Sequence, residues 1–404
     1  MSTSSPNSTK HVIKKGLEET SRPFLLHHDT RTTCWVELDR VQFNHNVQAI
    51  KNHIGAATAI AAVLKSNAYG HGLLPVAQLC DMQPHIHTIV VFLLSDALML
   101  RAQGITKPIL VLGGYDASIR DAILQHIDLT VFDYDTYEYI SACAQACACP
   151  VRIHIKVDSG LVRLGFTPQE TLVLVELIQK NQHVHLAGIY THFAESDSPD
   201  LSFTRQQIER FEMLRAAIEA NGVMVPFVHL ANTAAMLRLP QARGTMVRCG
   251  GALYGTYKKE DFYRTAQEQT PGFSLASFLR LKTRIIALKQ VPPSTPVGYA
   301  CTYTTTRTTT LAVVALGYFD GYDRRLSNNS VMLVHDKCVP IAGRVAMNMT
   351  TLDVTDVPQV RIGDEVTVIG TQTGVRIQEL AQRVNTIEYE LFVGLNPSLP
   401  RIIV

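Results

Sequence analysis

A lysine stands at the end of a short apolar run that has the composition of a buried strand. Residues 58–64 are followed directly by Lys65 and then by Ser66, Asn67, Ala68, Tyr69, Gly70, His71 and Gly72. An amine at such a position is costly to desolvate, and desolvation lowers its pKa and makes it a nucleophile. The alternative is a lysine whose ammonium group reaches from the strand tip into water. Lys65 is therefore a candidate nucleophile or base.

Cationic and polar residues also lie at or just after the ends of four later apolar runs. They are Lys156 and Arg163, then His192, then Thr233, and finally Arg248 with Gly250 and Gly251. Paired glycines allow backbone N–H groups to approach a phosphate, and a tight turn is their alternative use. Because the carboxyl ends of parallel strands meet on one face, we expect these groups to lie together.

Eight apolar, β-branched runs position these residues, and segments with helical spacing separate them. The runs are 58–64, 88–94, 108–112, 129–132, 151–157, 186–193, 227–230 and 246–249. Helical spacing is clearest over residues 170–180 and 201–220. Several runs are apolar without alternation, which is typical of strands buried on both faces. Eight strand–helix alternations predict an α/β fold with a (β/α)8 barrel of the TIM type over residues 31–274.

The pattern changes after Gly272, where strands separated by turns replace the helices. The predicted strands are 281–289, 309–316, 331–334, 337–341, 348–354 and 365–369, and a single helix is predicted at 377–383. This pattern predicts a mainly-β C-terminal domain over residues 275–404. Residues 1–30 are rich in Ser, Thr and Lys without an apolar period, and we expect a flexible tail there.

Composition excludes several classes of partner. The net charge is only +2, which leaves no basic field for a nucleic acid. The most apolar stretch, 86–100, holds His87, Ser95 and Asp96 and is too short to span a bilayer. Since the N-terminus also lacks an apolar signal core, we expect a soluble cytoplasmic protein. We interpret Cys143, Cys147 and Cys149 as ordinary thiols and expect no metal.

Taken in order, these residues resemble the motifs of the alanine racemase family. Residues 63–72 closely resemble its pyridoxal-phosphate lysine motif. The family's other motifs follow at 156–165, 191–194, 231–235, 248–255, 298–303, 317–322, 343–349 and 399–401. The likeness covers the chain from about residue 33 to its end. It implies a barrel followed by a β domain, pyridoxal 5′-phosphate as cofactor, and a homodimer with shared active sites.

The resemblance assigns the two groups that move the proton. Lys65 carries the cofactor and, once an amino acid has displaced it, acts as one acid/base group. Tyr299, supplied by a second subunit, is the other, on the opposite face of the substrate Cα. Racemisation needs two opposed groups because one removes the proton and the other returns it from the far side.

Further residues match positions around the cofactor ring and the substrate. By the resemblance, Arg248 faces the pyridine nitrogen and keeps it unprotonated, and His192 steadies Arg248. Arg163 lies near the substrate carboxylate. Lys156 matches a position that is carbamylated in many members. The phosphate is held by Tyr69, Thr233 and the amides around Gly250 and Gly251, and Met347 of a second subunit places an amide near the substrate carboxylate.

Three positions depart from the family pattern. Asn348 stands where Asp is usual, and Val162 replaces a small or polar residue before Arg163. The family's tyrosine before the closing Pro-Arg falls at Pro397, and Tyr389 matches a different position. We therefore expect a phosphate site without a tyrosine from this segment.

The leading hypothesis is an alanine racemase that interconverts L-alanine and D-alanine and supplies D-alanine for peptidoglycan synthesis. A racemase of broader scope, for serine or a basic amino acid, is the alternative within the same chemistry. A non-catalytic pyridoxal-phosphate-binding protein is a third hypothesis, which the β domain and Tyr299 disfavour.

Overall fold

The computed structural model describes residues 32–256 and 260–404, and these form two compact units. The barrel unit comprises residues 36–280 and 385–404, and the β unit comprises residues 281–384 with the segment that ends at Trp35. The predicted tail, residues 1–30, lies outside the described residues.

Eight parallel strands form the barrel, in the order β8-β7-β6-β5-β4-β3-β2-β9. They are β2 (Ala59–Val63), β3 (Ile86–Leu93), β4 (Ile109–Gly114), β5 (Asp128–Val131), β6 (Val151–Lys156), β7 (Val184–Tyr190), β8 (Phe227–His229) and β9 (Met246–Cys249). The chain at β9 closes the ring on β8, because Thr245 N donates to Val228 O at 2.9 Å and Arg248 N to Ala231 O at 3.1 Å. The predicted (β/α)8 barrel is confirmed.

Helices follow the strands, and among the described residues five of them begin at side chains that accept backbone N–H groups. The helices are α1 (Arg40–Ile54), α2 (Lys65–Tyr69), α3 (Leu73–Met82), α4 (Leu94–Ala102), α5 (Ile119–Leu124), α6 (Tyr134–Cys147), α7 (Pro168–Gln179), α8 (Ser202–Ala220), α9 (Thr233–Arg238) and α10 (Glu260–Gln269). The five that begin in this way are α1, α5, α6, α7 and α9. Thr167 and Glu170 form a capping box at α7, and Asp39 and Asp133 cap α1 and α6. Each cap satisfies a donor that the first turn leaves free.

The closing segment of the chain belongs to the barrel unit. It contains α12 (Glu388–Val393) and β18 (Arg401–Ile403), and β18 pairs in parallel with β1 (Cys34–Leu38), Val36 opposite Arg401. The Arg401 guanidinium donates to Gly70 O at 2.9 Å, which ties this segment to the loop after β2. The sequence-based boundary placed residues 385–404 with the β domain, whereas here they lie with the barrel.

The β unit is built from antiparallel strands. They are β10 (Leu279–Val291), β11 (Pro296–Val297), β12 (Tyr303–Thr304), β13 (Thr309–Val314), β14 (Val331–Val334), β15 (Lys337–Pro340), β16 (Thr350–Asp353) and β17 (Glu365–Ile369), followed by helix α11 (Ile377–Arg383). β10 pairs with β13 and β17, β13 with β16, and β14 with β15 and β17. The predicted mainly-β domain is confirmed. Among the described residues, no helix combines the length and apolar character needed to cross a bilayer.

Gly70 allows the loop after β2 to approach α12. Its φ is +79°, and a Cβ there would overlap the backbone carbonyl of Phe392. Gly104 has a similar φ of +82°, but a Cβ there would have no neighbour within 4 Å. The two glycines therefore share the conformational requirement and differ in packing.

We expect Gly70→Ala to destabilise the protein more than Gly104→Ala. Placing alanine at a positive φ costs about 1–2 kcal/mol, and forcing a methyl group into a packed site adds about 1–3 kcal/mol. Only the first cost applies at Gly104. Urea unfolding of the two cofactor-free variants measures the difference, and equal free energies of unfolding would contradict the steric explanation.

Candidate active site

A cavity of about 570 Å³ opens where the barrel strands end. It brings together nine of the residues predicted from the sequence: Lys65, Tyr69, Lys156, Arg163, His192, Thr233, Arg248, Gly250 and Gly251. It also includes two tyrosines that sequence reasoning did not assign to the site, Tyr190 and Tyr389. The predicted clustering of strand-end residues is therefore observed in the barrel unit.

Lys65 enters the cavity directly after β2. Leu64 N, just before it, donates to Val90 O on β3 at 2.7 Å, which fixes the backbone at the strand end. Burial lowers the pKa of the Lys65 ammonium group, and the nearby Arg163 and Arg248 guanidinium groups lower it further. Both effects favour the neutral amine, which is the nucleophilic form.

The segment after Lys65 turns in the left-handed sense. Ser66, Asn67, Ala68 and Tyr69 all have φ between 52° and 55°. This conformation costs about 1–2 kcal/mol for each non-glycine residue, so the surroundings must hold it. The Asn67 side chain accepts from Leu73 N at 2.8 Å, and Gly72 N donates to Asn67 O at 2.9 Å. The turn places Tyr69 in the same cavity as Lys65.

Two tyrosines and two glycines form one end of the cavity. The Tyr69 and Tyr389 rings meet edge to face with centroids 5.5 Å apart. A Cβ at Gly250 would lie 2.5 Å from the Tyr69 hydroxyl, and one at Gly251 would overlap the Tyr389 hydroxyl. Only glycines allow phenolic groups so close to this backbone. We call these four residues the tyrosine–glycine cradle.

Thr233 lies beside the cradle at the first position of α9. Its hydroxyl accepts from Ala252 N at 3.2 Å, so it connects α9 to the loop that carries the paired glycines. Asn232 caps the same helix by accepting from Ala235 N at 3.0 Å. Hydroxyls and backbone amides around one concave surface suit a phosphate group.

The expectation that this end of the cavity lacks a tyrosine from the closing segment is wrong. Pro397 only accepts, through its carbonyl, from the Arg401 guanidinium at 2.9 Å. Tyr389, eight residues earlier, lies on α12 and reaches the cradle. Counting back from the closing Pro-Arg pointed to Pro397, and only the packing of α12 on the barrel identifies Tyr389.

Arg248 is enclosed in the site, with 6% of its surface exposed. Its guanidinium donates to Thr191 O at 2.6 Å, Leu230 O at 3.2 Å and His229 O. His192 Nδ1 lies 3.4 Å away. Burial lowers the pKa of Arg248 to about 10, so the group stays charged at neutral pH. Carbonyls at the ends of β7 and β8 thus hold its orientation.

Lys156 lines the cavity and is buried. Its Nζ lies 4.9 Å from the ring centroid of Tyr190, and the Arg248 guanidinium lies 5.0 Å from the same ring. Burial holds the pKa of Lys156 well below its usual range, and Arg248 and Arg163 contribute. Burial and the same cations also hold the pKa of His192 well below its usual range. The lowered pKa keeps the His192 ring neutral at neutral pH, and it makes Lys156 easier to deprotonate than an exposed lysine.

Val162 shows why this position favours a small residue. Its φ is +55°, and its side chain is 86% exposed. A β-branched residue is strained in this region. Asp158 Oδ1 stabilises the turn by accepting from the backbone N–H of residues 160, 161 and 162 at 2.9–3.1 Å. The turn leads into Arg163 at the cavity edge.

Tyr299 and Met347 lie in the β unit and are absent from the described residues that line the cavity. Tyr299 begins a short 3₁₀ turn and is 72% exposed, and Met347 is 55% exposed. Asn348 is exposed as well. The described part of the chain contains no group of three His, Cys, Asp or Glu side chains arranged to hold a metal ion.

Comparison with known proteins assigns the chain to a family. The sequence model "Alanine racemase, N-terminal domain" matches residues 38–258, and "Alanine racemase, C-terminal domain" matches residues 278–403. The chain is 35% identical over 371 residues to an alanine racemase of Desulfovibrio desulfuricans, covering 92% of this chain and 98% of the relative. It is 37% identical over 382 residues to that of Desulfosudis oleivorans, covering 92% and 96%.

A solved structure agrees with the sequence relatives. The crystal structure of alanine racemase from a D-cycloserine-producing Streptomyces lavendulae matches with a TM-score of 0.83 and 31% identity, over 93% of this chain and 98% of that one. Because both sequence models and a structure of nearly equal length match the same residues, the chain belongs to the alanine racemase family.

Proposed function

We propose that this chain interconverts L-alanine and D-alanine with pyridoxal 5′-phosphate as its cofactor. The observation that carries the proposal is the single cavity in which Lys65, Arg248 and the tyrosine–glycine cradle meet. The relatives described above are named alanine racemases. In the cell the product D-alanine would supply peptidoglycan synthesis in the cytoplasm.

The cavity fits the cofactor by its donors and by its shape. The cradle offers two phenolic hydroxyls, and the paired glycines lie where a Cβ would close it. Tyr69, Tyr389, Thr233 and the amides near Gly250 and Gly251 would hold the phosphate. When bound, the cofactor supplies an electron sink that acidifies the Cα–H of the attached amino acid.

Lys65 would bind the cofactor and then move a proton. Its lowered pKa makes the neutral amine available to take the proton from one face of Cα. Tyr299 is exposed on the β unit, which leaves its hydroxyl free to enter the cavity of a second copy of the chain. We propose that this hydroxyl exchanges a proton with the opposite face of the substrate Cα, in a homodimer with shared sites.

Arg248 would donate to the cofactor ring nitrogen without losing its own proton. A guanidinium with a pKa near 10 does not protonate a pyridine nitrogen, so the ring remains a weaker electron sink and side reactions are limited. His192 lies at 3.4 Å from Arg248 and would steady it. The three strand-end carbonyls keep the donor in place.

Arg163 would bind the substrate carboxylate, and Lys156 would orient Arg163. Arg163 lines the cavity beside the position proposed for the substrate, and an amide of Met347 from a second copy would assist. The neutral Lys156 amine is the form that adds to carbon dioxide: a C–N bond forms, one proton is released, and a carbamate anion results. This anion would orient Arg163 by charge attraction.

The charge of the cavity bears on the choice of substrate. The Arg163 and Arg248 guanidinium groups line it, and among the described lining residues Asp197 carries the only carboxylate. A basic amino acid would bring another cation into this field, and like charges repel strongly where solvent is excluded. Serine adds only a hydroxyl and remains the closer competitor. A non-catalytic binding protein would not need Tyr299.

The first test compares substrates. We expect the purified protein loaded with pyridoxal phosphate to racemise alanine faster than serine and much faster than lysine. Lys65→Ala should lower the alanine rate by about 10³-fold or more, because the anchoring amine and one proton carrier are lost together. Chiral chromatography measures all three rates, and Lys180→Ala, at an exposed helix end, is the control. A faster rate with serine or lysine would overturn the substrate assignment.

The second test concerns Tyr389. Removing its hydroxyl deletes a hydrogen bond to a charged phosphate, worth about 1.5–3 kcal/mol. We therefore expect Tyr389→Phe to weaken binding of pyridoxal phosphate by at least about tenfold and to leave binding of pyridoxal, which lacks the phosphate, nearly unchanged. Equilibrium dialysis measures both affinities, with the exposed Tyr139→Phe as control. An equal loss for the two compounds would place Tyr389 elsewhere.

The third test concerns the shared site. Inactive Lys65→Ala and Tyr299→Phe chains should regain activity when they are mixed in equal amounts and allowed to exchange. Half of the dimers are then mixed, and each has one site with an intact lysine and an intact tyrosine, which predicts about one quarter of the wild-type rate. Labelled chains verify the exchange. Exchange without recovery would assign both residues to the same chain's site.

A further inference from the structure

The barrel contains a line of buried polar side chains in addition to the buried apolar cluster on its strands. Asp128 on β5, His154 on β6, His229 on β8 and Arg248 on β9 are each at most 6% exposed. Asp128 opens its strand at the amino end, and Arg248 lies at the cavity. The line therefore crosses the barrel from one end to the other.

Successive members of the line are within hydrogen-bonding reach. Arg248 Nη1 lies 3.0 Å from His229 Nδ1, and His229 Nε2 lies 2.9 Å from His154 Nδ1. His154 Nε2 lies 3.4 Å from Asp128 Oδ2. Arg152, which is half exposed, donates to both Asp128 oxygens at 3.0 and 3.3 Å. The line thus begins at a surface-accessible ion pair and ends at a cation of the active site.

Packing fixes the orientation of both imidazole rings. His229 stacks on Tyr190 with centroids 4.8 Å apart and an interplanar angle of 13°. His154 stacks on Phe227 at 6.1 Å with the same angle. Gly188 leaves room for His154, because a Cβ there would overlap its Nδ1. Neither ring can rotate freely to exchange its nitrogens.

The charged end of the line determines the direction of every hydrogen bond. A guanidinium only donates, so His229 Nδ1 must accept and its Nε2 carries the proton. That proton points to His154 Nδ1, which must accept in turn, so His154 Nε2 carries the proton and donates to the carboxylate. Burial and the adjacent Arg248 hold the pKa of His229 well below its usual range, consistent with a neutral ring.

We propose that Asp128 and His154 are positioning residues that keep His229 in its accepting tautomer and so hold Arg248 in its working orientation. Neither touches the proposed cofactor position. This inference rests on the proposed function, since Arg248 is the group it serves there. Without the Asp128 acceptor, His154 gains freedom to carry its proton on Nδ1. His229 then carries its own proton on Nδ1 and presents an N–H to the Arg248 donor.

The test measures tautomers and turnover on the same variants. In cofactor-free protein labelled with ¹⁵N-histidine, we expect wild-type His229 to show a protonated Nε2 and an unprotonated Nδ1, with signals assigned by His229→Gln and His154→Gln. Asp128→Ala should shift the His229 ring signals, although His154 lies between Asp128 and His229 in the line. In the loaded enzyme it should lower kcat by about 10- to 100-fold with little change in KM, because a displaced donor slows the reaction more than substrate binding.

Two controls separate positioning from general damage. Asp81→Ala removes another barrel-unit carboxylate, which accepts from Thr106 N and Lys107 N at 2.9 Å, and it should leave the His229 signals and kcat unchanged. Asp128→Asn retains an oxygen that accepts from His154 and should preserve the His229 tautomer and most of kcat.

A protonated His229 Nδ1 in wild-type protein would overturn the proposal, even if Asp128→Ala does not fold. Unchanged His229 signals or an unchanged kcat in folded Asp128→Ala would also overturn it. A wild-type protein without racemase activity would instead overturn the proposed function, and the tautomer measurement, made without cofactor, would still decide the coupling between Asp128 and His229.

Discussion

A guanidinium enclosed by a barrel needs an acceptor for its N–H groups, and the rest of the site is organised around this requirement. Arg248 finds its acceptors in the carbonyls at the ends of β7 and β8 and in the His229 ring. These carbonyls are available because parallel strands leave their last C=O groups unpaired at the carboxyl edge. Lys65 lies at the same edge, so the carbonyls that hold Arg248 also fix where its charge lies relative to the Lys65 amine.

The gathering of cations at this edge has a direct electrostatic consequence. Lys65 and Lys156 both have lowered pKa values, because burial and the Arg163 and Arg248 charges oppose further positive charge. A guanidinium group ordinarily has a higher pKa than an amine, so in a crowded group of cations the amines lose their protons first. The site therefore places guanidinium cations beside two amines that are deprotonated more easily than exposed lysines.

The tyrosine–glycine cradle depends on close backbone packing. The left-handed turn after Lys65 brings Tyr69 to Gly250, and the approach of Gly70 to Phe392 brings α12 and Tyr389 to Gly251. A side chain at either cradle glycine would push a tyrosine away. Strain in the turn is thus compensated by contacts that assemble the cradle, as expected where a site overrides local preference.

The amino-acid sequence by itself determined the barrel, the β unit and most of the cavity. Several unalternating apolar runs indicate strands buried on both faces, and eight strand–helix alternations indicate a parallel barrel whose strand ends share one face. That reasoning located Lys65, Arg163, His192 and Arg248. It assigned no role to Tyr389 or to the line from Asp128 to His229. Local sequence reports strand periodicity and strand ends, whereas these features depend on which distant segments pack together. The approach of α12 to Gly70 and the meeting of four strands inside the barrel arise only when the chain closes on itself.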